Sequence, residues 1–291
     1  MKRIATDLLV VFALLFCSSG WLAAQQISAD TFLGRVSARP VGDEVERDQY
    51  LKTGSALANS TPAEIARVLP SVLEHTRKGN EIHVRVYAAG FLLSIAQRPD
   101  GADLLSSKSE DISSLIVDAD PTIQRTAIAT MDYVIGRPGT NNQPYVSALA
   151  AGIQKVQTPQ SVAVEMAGPL LSFGSGDAKA AKSVFDFLQR DDLTASTRKE
   201  ILHSVATVPN LPGEVAQSLS KSLDDPDPKV RAAAVVAFAM SDSTFHDLVK
   251  ARVERMAKDP QEHPQVRELA KEALAGQTSL NPNIDVTLGK P

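Results

Sequence analysis

Paired aspartates just before a helix start are the residues of this chain best suited to chemistry. Asp118 and Asp120 occur in DADPTIQR, Asp225 and Asp227 in DDPDPKVR, and Asp259 in KDPQEHPQVR. Two carboxylates this close are hard oxygen ligands that suit a divalent cation. A cation-binding loop draws about five or six ligands from one short segment, and no segment of this sequence supplies them. We therefore predict structural roles for these carboxylates, with a divalent-cation site as the alternative.

An arginine follows each of these acidic clusters, shortly inside the helix predicted there. The arginines are Arg125, Arg231 and Arg267. An aspartate before a helix can accept hydrogen bonds from first-turn N–H groups, which have no partner within the helix. A proline such as Pro228 at the helix start has no N–H to satisfy. We predict that the aspartates cap helices and that each arginine pairs with an aspartate of the same or the adjacent corner.

The helices behind these clusters share one apolar pattern. Within residues 224–242, apolar side chains recur at i, i+3, i+4, i+7 and i+8 from Val230, which places one stripe on a helix. Arg85, Arg198 or Glu165 occupies the arginine position of the looser copies. The pattern has a period of about 33 to 40 residues, which indicates a structural repeat. It recurs in five further segments: 80–96, 118–135, 158–174, 194–208 and 258–276.

The segments between these helices have an apolar periodicity of their own. Proline and aspartate mark the joins, as expected where one helix stops and the next is capped. We predict an all-α protein with about six antiparallel helix pairs over residues 60–276, each pair burying its faces against its neighbours. The first helices of the pairs are predicted to begin near Pro62, Ser109, Gln143, Asp177, Pro212 and Thr244.

Three of the segments resemble a known family. VRAAAVVAF, IQRTAIATM and VRELAKEAL, each after an Asp-Pro-type turn, resemble the second helices of HEAT repeats of the compact bacterial, bilin-lyase-like type. The resemblance covers roughly residues 60–276 and implies a right-handed α-solenoid with a ladder of ion pairs along the stack. The residues expected in its corners and ladder are Asp118, Asp120, Arg125, Asp225, Asp227, Arg231, Asp259 and Arg267.

The resemblance favours a binding function over a catalytic one. HEAT-like solenoids hold protein or peptide partners along a concave face that is usually lined by second helices, so Lys199 and Lys229 are predicted partner contacts. The alternative is a bilin-lyase-like protein that handles a chromophore or another small molecule. Against an enzyme, the sequence contains no GxSxG, GxxxxGK[ST], HExxH or CxxC motif, and its five histidines are scattered. We expect no cofactor, no metal and no catalytic residue.

The first 24 residues have the three-part layout of a secretory signal peptide. Lys2 and Arg3 precede an apolar run over residues 8–16, and small residues end at Ala24. The run is shorter than the ~20 residues of a membrane span, so we predict cleavage after Ala24 and export to the periplasm or beyond. The alternative is a lipid anchor at Cys17, which the bulky residue before that cysteine disfavours.

Composition narrows the partners further. The chain carries a net charge of −4, and such mild acidity argues against nucleic acid and against anionic membrane surfaces. Because Cys17 is the one cysteine, the mature protein is predicted to depend on its apolar core rather than on disulfides. Residues 25–59 are predicted to form an extended arm with a capping helix from Glu44, and residues 277–291 a flexible tail.

Overall fold

The computed structural model describes residues 28–38, 44–174, 178–207, 215–240 and 243–276. Within these ranges the chain forms fifteen α-helices and one 3₁₀ turn, with no strand. The predicted signal peptide, Cys17 and the predicted C-terminal tail lie outside them. The helices are α1 (Ala29–Ser37), α2 (Glu44–Asn59), α3 (Pro62–His75), α4 (Ile82–Ala96), α5 (Gly101–Ser106), α6 (Ser109–Ser114), α7 (Pro121–Val134), α8 (Asn142–Gln154), α9 (Gln160–Gly174), α10 (Ala178–Leu188), α11 (Ala195–Ala206), α12 (Val215–Ser222), α13 (Pro228–Met240), α14 (Ser243–Lys258) and α15 (Pro264–Leu274).

The helices form two layers. The second helices α4, α7, α9, α11, α13 and α15 each pack on the next, and α2 packs on α4. The first helices form a parallel outer series, in which α1 packs on α3, α6 on α8, α8 on α10, and α12 on α14. Contacts between neighbouring second helices are the more extensive at each junction between repeats except that of the second with the third, and we call the second-helix side of the stack the inner side. The predicted all-α solenoid of about six helix pairs is confirmed.

Local sequence explains where individual helices begin. Thr61 caps α3 through a capping box, in which its hydroxyl accepts from the Glu64 N–H at 3.3 Å and the Glu64 carboxylate accepts from the Thr61 N–H at 2.7 Å. The sequence NST at residues 59–61 is thus explained by capping. Thr194 caps α11 in the same manner, accepting from the Thr197 N–H at 3.2 Å.

Small residues fill the core where second helices meet. Ala232, Ala233 and Ala234 in α13 are all fully buried, because this helix lies between α11 and α15 and its backbone approaches both closely. Alanine at such positions permits close packing that larger side chains would prevent. This arrangement accounts for a core built with few aromatic residues.

The N-terminal region contains more structure than predicted. The segment expected to be an extended arm contains α1, which pairs with α2 and adds a seventh helix pair before α3. Ser28 caps α1, accepting from the Thr31 N–H at 3.3 Å. Ala29, Phe32 and Val36 are buried at i, i+3 and i+7, an apolar stripe that the sequence displays and that the prediction overlooked.

Aromatic residues are concentrated at this N-terminal pair. The Tyr50 ring in α2 lies 5.2 Å from that of Phe91 and 4.7 Å from that of Tyr87, and Phe32 contacts all three. Burial raises the pKa of the Tyr50 hydroxyl well above its usual range. That hydroxyl lies directly against Gly90, where any side chain would overlap it. The cluster closes the N-terminal end of the core.

The first helix of the second repeat is broken. It begins at Gly101, earlier than predicted, and is divided into α5 and α6 at residues 107–108. Ser106, Ser107 and Ser109 flank the break, and the Ser106 hydroxyl donates to the backbone carbonyl of Asp103 at 2.8 Å. Such local bonds compete with regular helix, which explains the interruption.

Candidate functional site

The corner before α7 uses its two aspartates differently. Asp120 caps the helix, since its Oδ1 accepts from the Thr122 N–H at 2.8 Å and from the Ile123 N–H at 3.2 Å. Asp118 is buried and forms an ion pair with Arg85 of the preceding repeat, while its Oδ1 accepts from the Asp120 N–H at 3.0 Å. One aspartate thus starts the helix and the other joins two repeats.

The corner before α13 repeats this division. Asp225 accepts from Arg198 of the preceding repeat, with Nε at 2.7 Å and Nη2 at 3.3 Å, and from the Asp227 N–H at 2.9 Å. Asp227 accepts from the Lys229 N–H at 2.8 Å. Both corners bind the arginine of the repeat before them, whereas the sequence left open whether the arginine pairs within its own corner.

These inter-repeat contacts form a ladder, and each contact between consecutive repeats is called a rung. In the last rung, Arg231 binds Glu262, with Nη2 2.5 Å from Oε1 and Nε 3.0 Å from Oε2. Arg231 Nη1 also donates to the carbonyl oxygen of Asp225 at 2.7 Å, within its own corner. In the second rung, Arg125 binds Glu165 at 2.9 Å and Ser161 at 2.6 Å. Each arginine therefore connects two repeats.

The rung between the third and fourth repeats contains no ion pair. Gln160 Nε2 donates to the carbonyl oxygen of Asp192 at 2.8 Å. Gln160 Oε1 accepts from the Thr194 N–H at 3.0 Å and from the Thr197 hydroxyl at 2.8 Å. An amide therefore replaces arginine at the position where the sequence pattern is most degenerate.

The sixth corner departs from the predicted pairing of arginine with aspartate. The Asp259 carboxylate accepts from the Gln261 N–H at 2.8 Å, and Glu262 binds Arg231 in its place. Within the described residues, Arg267 donates only to backbone carbonyls, those of Asp259 and Pro260 at 3.3 Å and that of Glu262 at 3.5 Å. Register is the physical reason, because Asp259 lies too far before the start of α15 to face Arg231.

Glu262 and Gln160 are ladder residues that the sequence reading missed. A positional signal for the change at the sixth corner was available. Asp118 and Asp225 each lie three residues before the proline that starts the helix, and the same position before Pro264 holds Gln261. A different acid therefore pairs with Arg231 at this corner, and Glu262 is the nearest one in the sequence.

Burial differs along the ladder. The Arg85 and Asp118 side chains are 9% and 2% exposed, whereas those of Arg125 and Glu165 are 35% and 44% exposed. A buried ion pair is costly to break because the remaining charge has no water around it, while an exposed pair contributes little. The rungs thus differ in energetic weight, and the first is the most sensitive to change.

The predicted contact residues Lys199 and Lys229 lie on neighbouring second helices, α11 and α13, and both are half-buried. His203 follows Lys199 by one turn of α11. Burial lowers the pKa of the His203 imidazole, and the nearby Lys199 charge lowers it further.

The solvent-facing side of α4, α7 and α9 has little charge. Arg125 and Glu165 neutralise each other, and Asp132 accepts a hydrogen bond from the buried Tyr145 hydroxyl at 3.1 Å. Two large apolar residues there, Ile82 and Tyr133, are 46% and 45% exposed. We call this surface the second-helix face, in which Ile82 and Tyr133 are exposed and the other members are partly buried: Val86, Leu93, Ala129, Val164 and Gly168.

The outer side of the first helices has the opposite character. Its charged residues include ion pairs of exposed side chains, such as Lys182 with Asp186 at 2.6 Å. The exposed charged residues there include Glu64, Arg67, Glu74, Asp103, Glu110, Asp111, Lys182, Asp186, Lys250 and Arg255. The two surfaces of the stack are therefore chemically distinct.

The described ranges offer no metal cluster and no membrane-spanning helix. No group of three or more His, Asp, Glu or Cys side chains there could hold a metal ion. Among the helices of those ranges, none combines the length and apolar character needed to cross a membrane. The aspartate pairs of the corners are instead accounted for by caps and rungs.

Comparison with known proteins identifies a fold and no family. No family model matches the chain, and no curated protein matches it. Among solved structures, an engineered protein from a structural genomics consortium matches with a TM-score of 0.50 and 16% identity, over 89% of this chain and 69% of the other. A computationally designed armadillo repeat protein for modular peptide recognition matches with a TM-score of 0.38 and 13% identity, over 85% of this chain and 99% of the other. A designed armadillo repeat protein in complex with the peptide (KR)4 gives a TM-score of 0.35 and 16% identity, over 86% and 99%. The first of these matches shows that the two chains share a fold.

Proposed function

We propose that this protein is an exported, non-enzymatic scaffold of HEAT-like repeats that binds a protein or peptide partner along its second-helix face. The observation that carries the proposal is the contrast between that face and the charged outer face. Binding to the second-helix face removes apolar surface from water, which contributes roughly 25 cal/mol per Å². It also strips water from few charges, so the desolvation cost is small.

The extent of the face favours a chain over a small molecule. It crosses the second helices of three consecutive repeats, and neighbouring packed helices lie roughly 8–10 Å apart. The face is therefore about 20 Å wide, which matches about six residues of extended chain. Lys199 and Lys229 continue the same layer toward the C-terminus and are the proposed polar contacts at that end.

Site-specific photo-cross-linking tests the proposed face. Tyr133 is replaced by the photoreactive analogue benzoylphenylalanine, which preserves an exposed aromatic ring at that position. Ala151, exposed on α8 in the outer layer, receives the same analogue as the matched control. We expect a discrete cross-linked partner from position 133 and none from position 151, detected by mass spectrometry of material from the exporting cell.

A charge substitution provides the second measurement. Gly168→Glu places a carboxylate on the α9 part of the face, where a side chain meets open space, so the fold is expected to tolerate it. Ala151→Glu adds the same charge to the outer layer. Loss of the cross-link in the Gly168→Glu variant and its retention in the Ala151→Glu variant would support the proposal. Equal cross-linking in both variants would contradict it.

Export is tested by the mass of the protein in the producing cell. We expect an N-terminus at Gln25 in the envelope or secreted fraction, after removal of residues 1–24. A chain that still begins at Met1, or a lipid-modified Cys17, would contradict this part of the proposal. Neither result bears on the second-helix face.

A further inference from the structure

A cleft of 520 Å³ lies in the outer layer between the first and second repeats. One wall is the C-terminal part of α3 and the other is α6 with the 3₁₀ turn that follows it. Its apolar surface comes from Leu73 and Leu115, and its buried base includes Asp118. Clefts of ~300–1,000 Å³ are the size that holds small organic ligands.

The cleft exists because the helix break described above removes a helix–helix contact. Other outer-layer neighbours in the described part of the chain pack directly, whereas α3 makes only a small contact with the second repeat, through the short α5. Pro70 lies inside α3 and removes one of its backbone hydrogen bonds. On the inner side α4 and α7 pack extensively, so the repeats remain joined while the outer side opens.

The charges that line the cleft are partly neutralised. Asp118 is paired with Arg85, and Glu74 is paired with Arg77 at 2.5 Å. Two lysines remain, Lys78 from the end of α3 and Lys108 from the turn before α6. Neither ammonium group pairs with a carboxylate of the described residues.

One acid also remains in the lining. The Asp111 carboxylate is exposed and makes no ion pair among the described side chains. Its single negative charge opposes the two lysines, so the cleft suits a ligand with one negative charge better than one with two. A cation would be repelled by both lysines. The acid at the base of the cleft, Asp118, is already paired with Arg85 and would not attract it.

We propose that this cleft binds an organic carboxylate with an apolar body. The carboxylate accepts hydrogen bonds from Lys78 and Lys108, and the apolar part lies against Leu73 and Leu115. A free small acid and the C-terminal residue of a peptide present this same chemistry. The cleft is in the outer layer, so the proposal does not depend on partner binding at the second-helix face.

Isothermal titration of the purified full-length chain tests the proposal with matched probes. N-acetyl-leucine carries the carboxylate and the apolar group, and N-acetyl-leucinamide lacks only the negative charge. The peptide GGSVL with a free C-terminus, and its amidated form, distinguish a chain terminus from a free acid. We expect binding of one or both carboxylate forms and at least about tenfold weaker binding of the amides, as expected for loss of a charge-assisted hydrogen bond.

Two variants locate the binding. Lys78→Gln with Lys108→Gln is expected to weaken carboxylate binding at least about tenfold, whereas Lys221→Gln with Lys250→Gln removes equal charge elsewhere and leaves it unchanged. Ser114→Phe fills the cleft from its exposed rim and is expected to abolish binding without lowering the melting temperature.

Three outcomes would overturn the proposal. One is the absence of binding by both carboxylate probes, and another is equal binding of acid and amide. The third is an unchanged affinity in the Lys78/Lys108 variant or in the Ser114→Phe variant. Binding of GGSVL without binding of N-acetyl-leucine would support the site and identify a chain terminus as its ligand.

Discussion

Removal of the Asp118 charge is the perturbation that tests the ladder most directly. In the Asp118→Asn variant the retained Oδ1 still accepts from the Asp120 N–H, so the change isolates the ion pair with Arg85. The Arg85 side chain is 9% exposed, and its charge would lose its carboxylate partner without gaining water. Breaking a buried pair in this manner costs about 3–5 kcal/mol.

The exposed rung provides the comparison. Glu165→Gln removes the partner of Arg125, whose side chain is 35% exposed, and such surface pairs contribute about 0.2–1 kcal/mol. For a folded unit of this size, 1 kcal/mol corresponds to a shift in Tm of about 2–4 °C. We therefore expect Asp118→Asn to lower Tm by about 6–20 °C and Glu165→Gln by less than about 4 °C.

Far-UV circular dichroism is the appropriate assay, because the described helices give a strong signal and Trp21, the one tryptophan, lies in the predicted signal peptide. Urea midpoints at fixed pH supplement the thermal scans. Equal decreases in Tm for the two variants would refute the claim that the buried ion pair stabilises the fold more than the exposed one. The double variant Arg85→Met, Asp118→Leu should recover part of the loss of Asp118→Asn, because an apolar pair leaves no buried charge.

Three further predictions concern other parts of the stack. Ala234→Glu buries an unpaired carboxylate and should lower the free energy of unfolding, measured with urea, by several kcal/mol. Ala151→Glu on the outer layer should leave it nearly unchanged, and equal urea midpoints would refute the burial of Ala234 in α13. Gly90→Ala should cost about 1–3 kcal/mol by displacing Tyr50, and adding Tyr50→Phe should restore part of this loss; no restoration would refute the contact. His203 has a pKa below its unfolded value, so the unfolded chain binds protons more readily than the folded one, and stability should fall as pH drops below about 6.5. His203→Gln should reduce that fall in melting temperature, and identical pH profiles would contradict the burial of this imidazole.

Sequence periodicity predicts the repeat and its corners because both are local. The apolar stripe of α13, the cap at Asp120 and the proline starts of α7 and α13 depend on residues a few positions apart. The same is true of α1, whose stripe and Ser28 cap are visible in the sequence once that segment is examined for helix period. These features were within reach of the sequence alone.

The partners across repeats follow from the sequence only once the start of each helix is known. Arg231 and Glu262 are far apart along the chain, and the choice of Glu262 over Asp259 depends on where α15 begins relative to α13. The cleft beside α6 likewise results from the break between α5 and α6, which leaves space between α3 and α6. The spacing of apolar residues along the chain does not reveal the distance between two helices. Local pattern identifies which residues occupy a corner, and packing between repeats decides what each one binds.

The neutral rung at Gln160 has a consequence for how the molecule comes apart. In a stack where each repeat contacts only its neighbours, cooperativity passes from one interface to the next, and the weakest interface limits how far it extends. Charged rungs join repeats one to three and repeats four to six, whereas amide and hydroxyl hydrogen bonds of Gln160 join the third repeat to the fourth. Salt screens exposed ion pairs and leaves hydrogen bonds between neutral groups unchanged, so concentrated salt should weaken the interface at the exposed Arg125–Glu165 rung before the one at Gln160. The stack should then separate between its second and third repeats, with the third and fourth still joined.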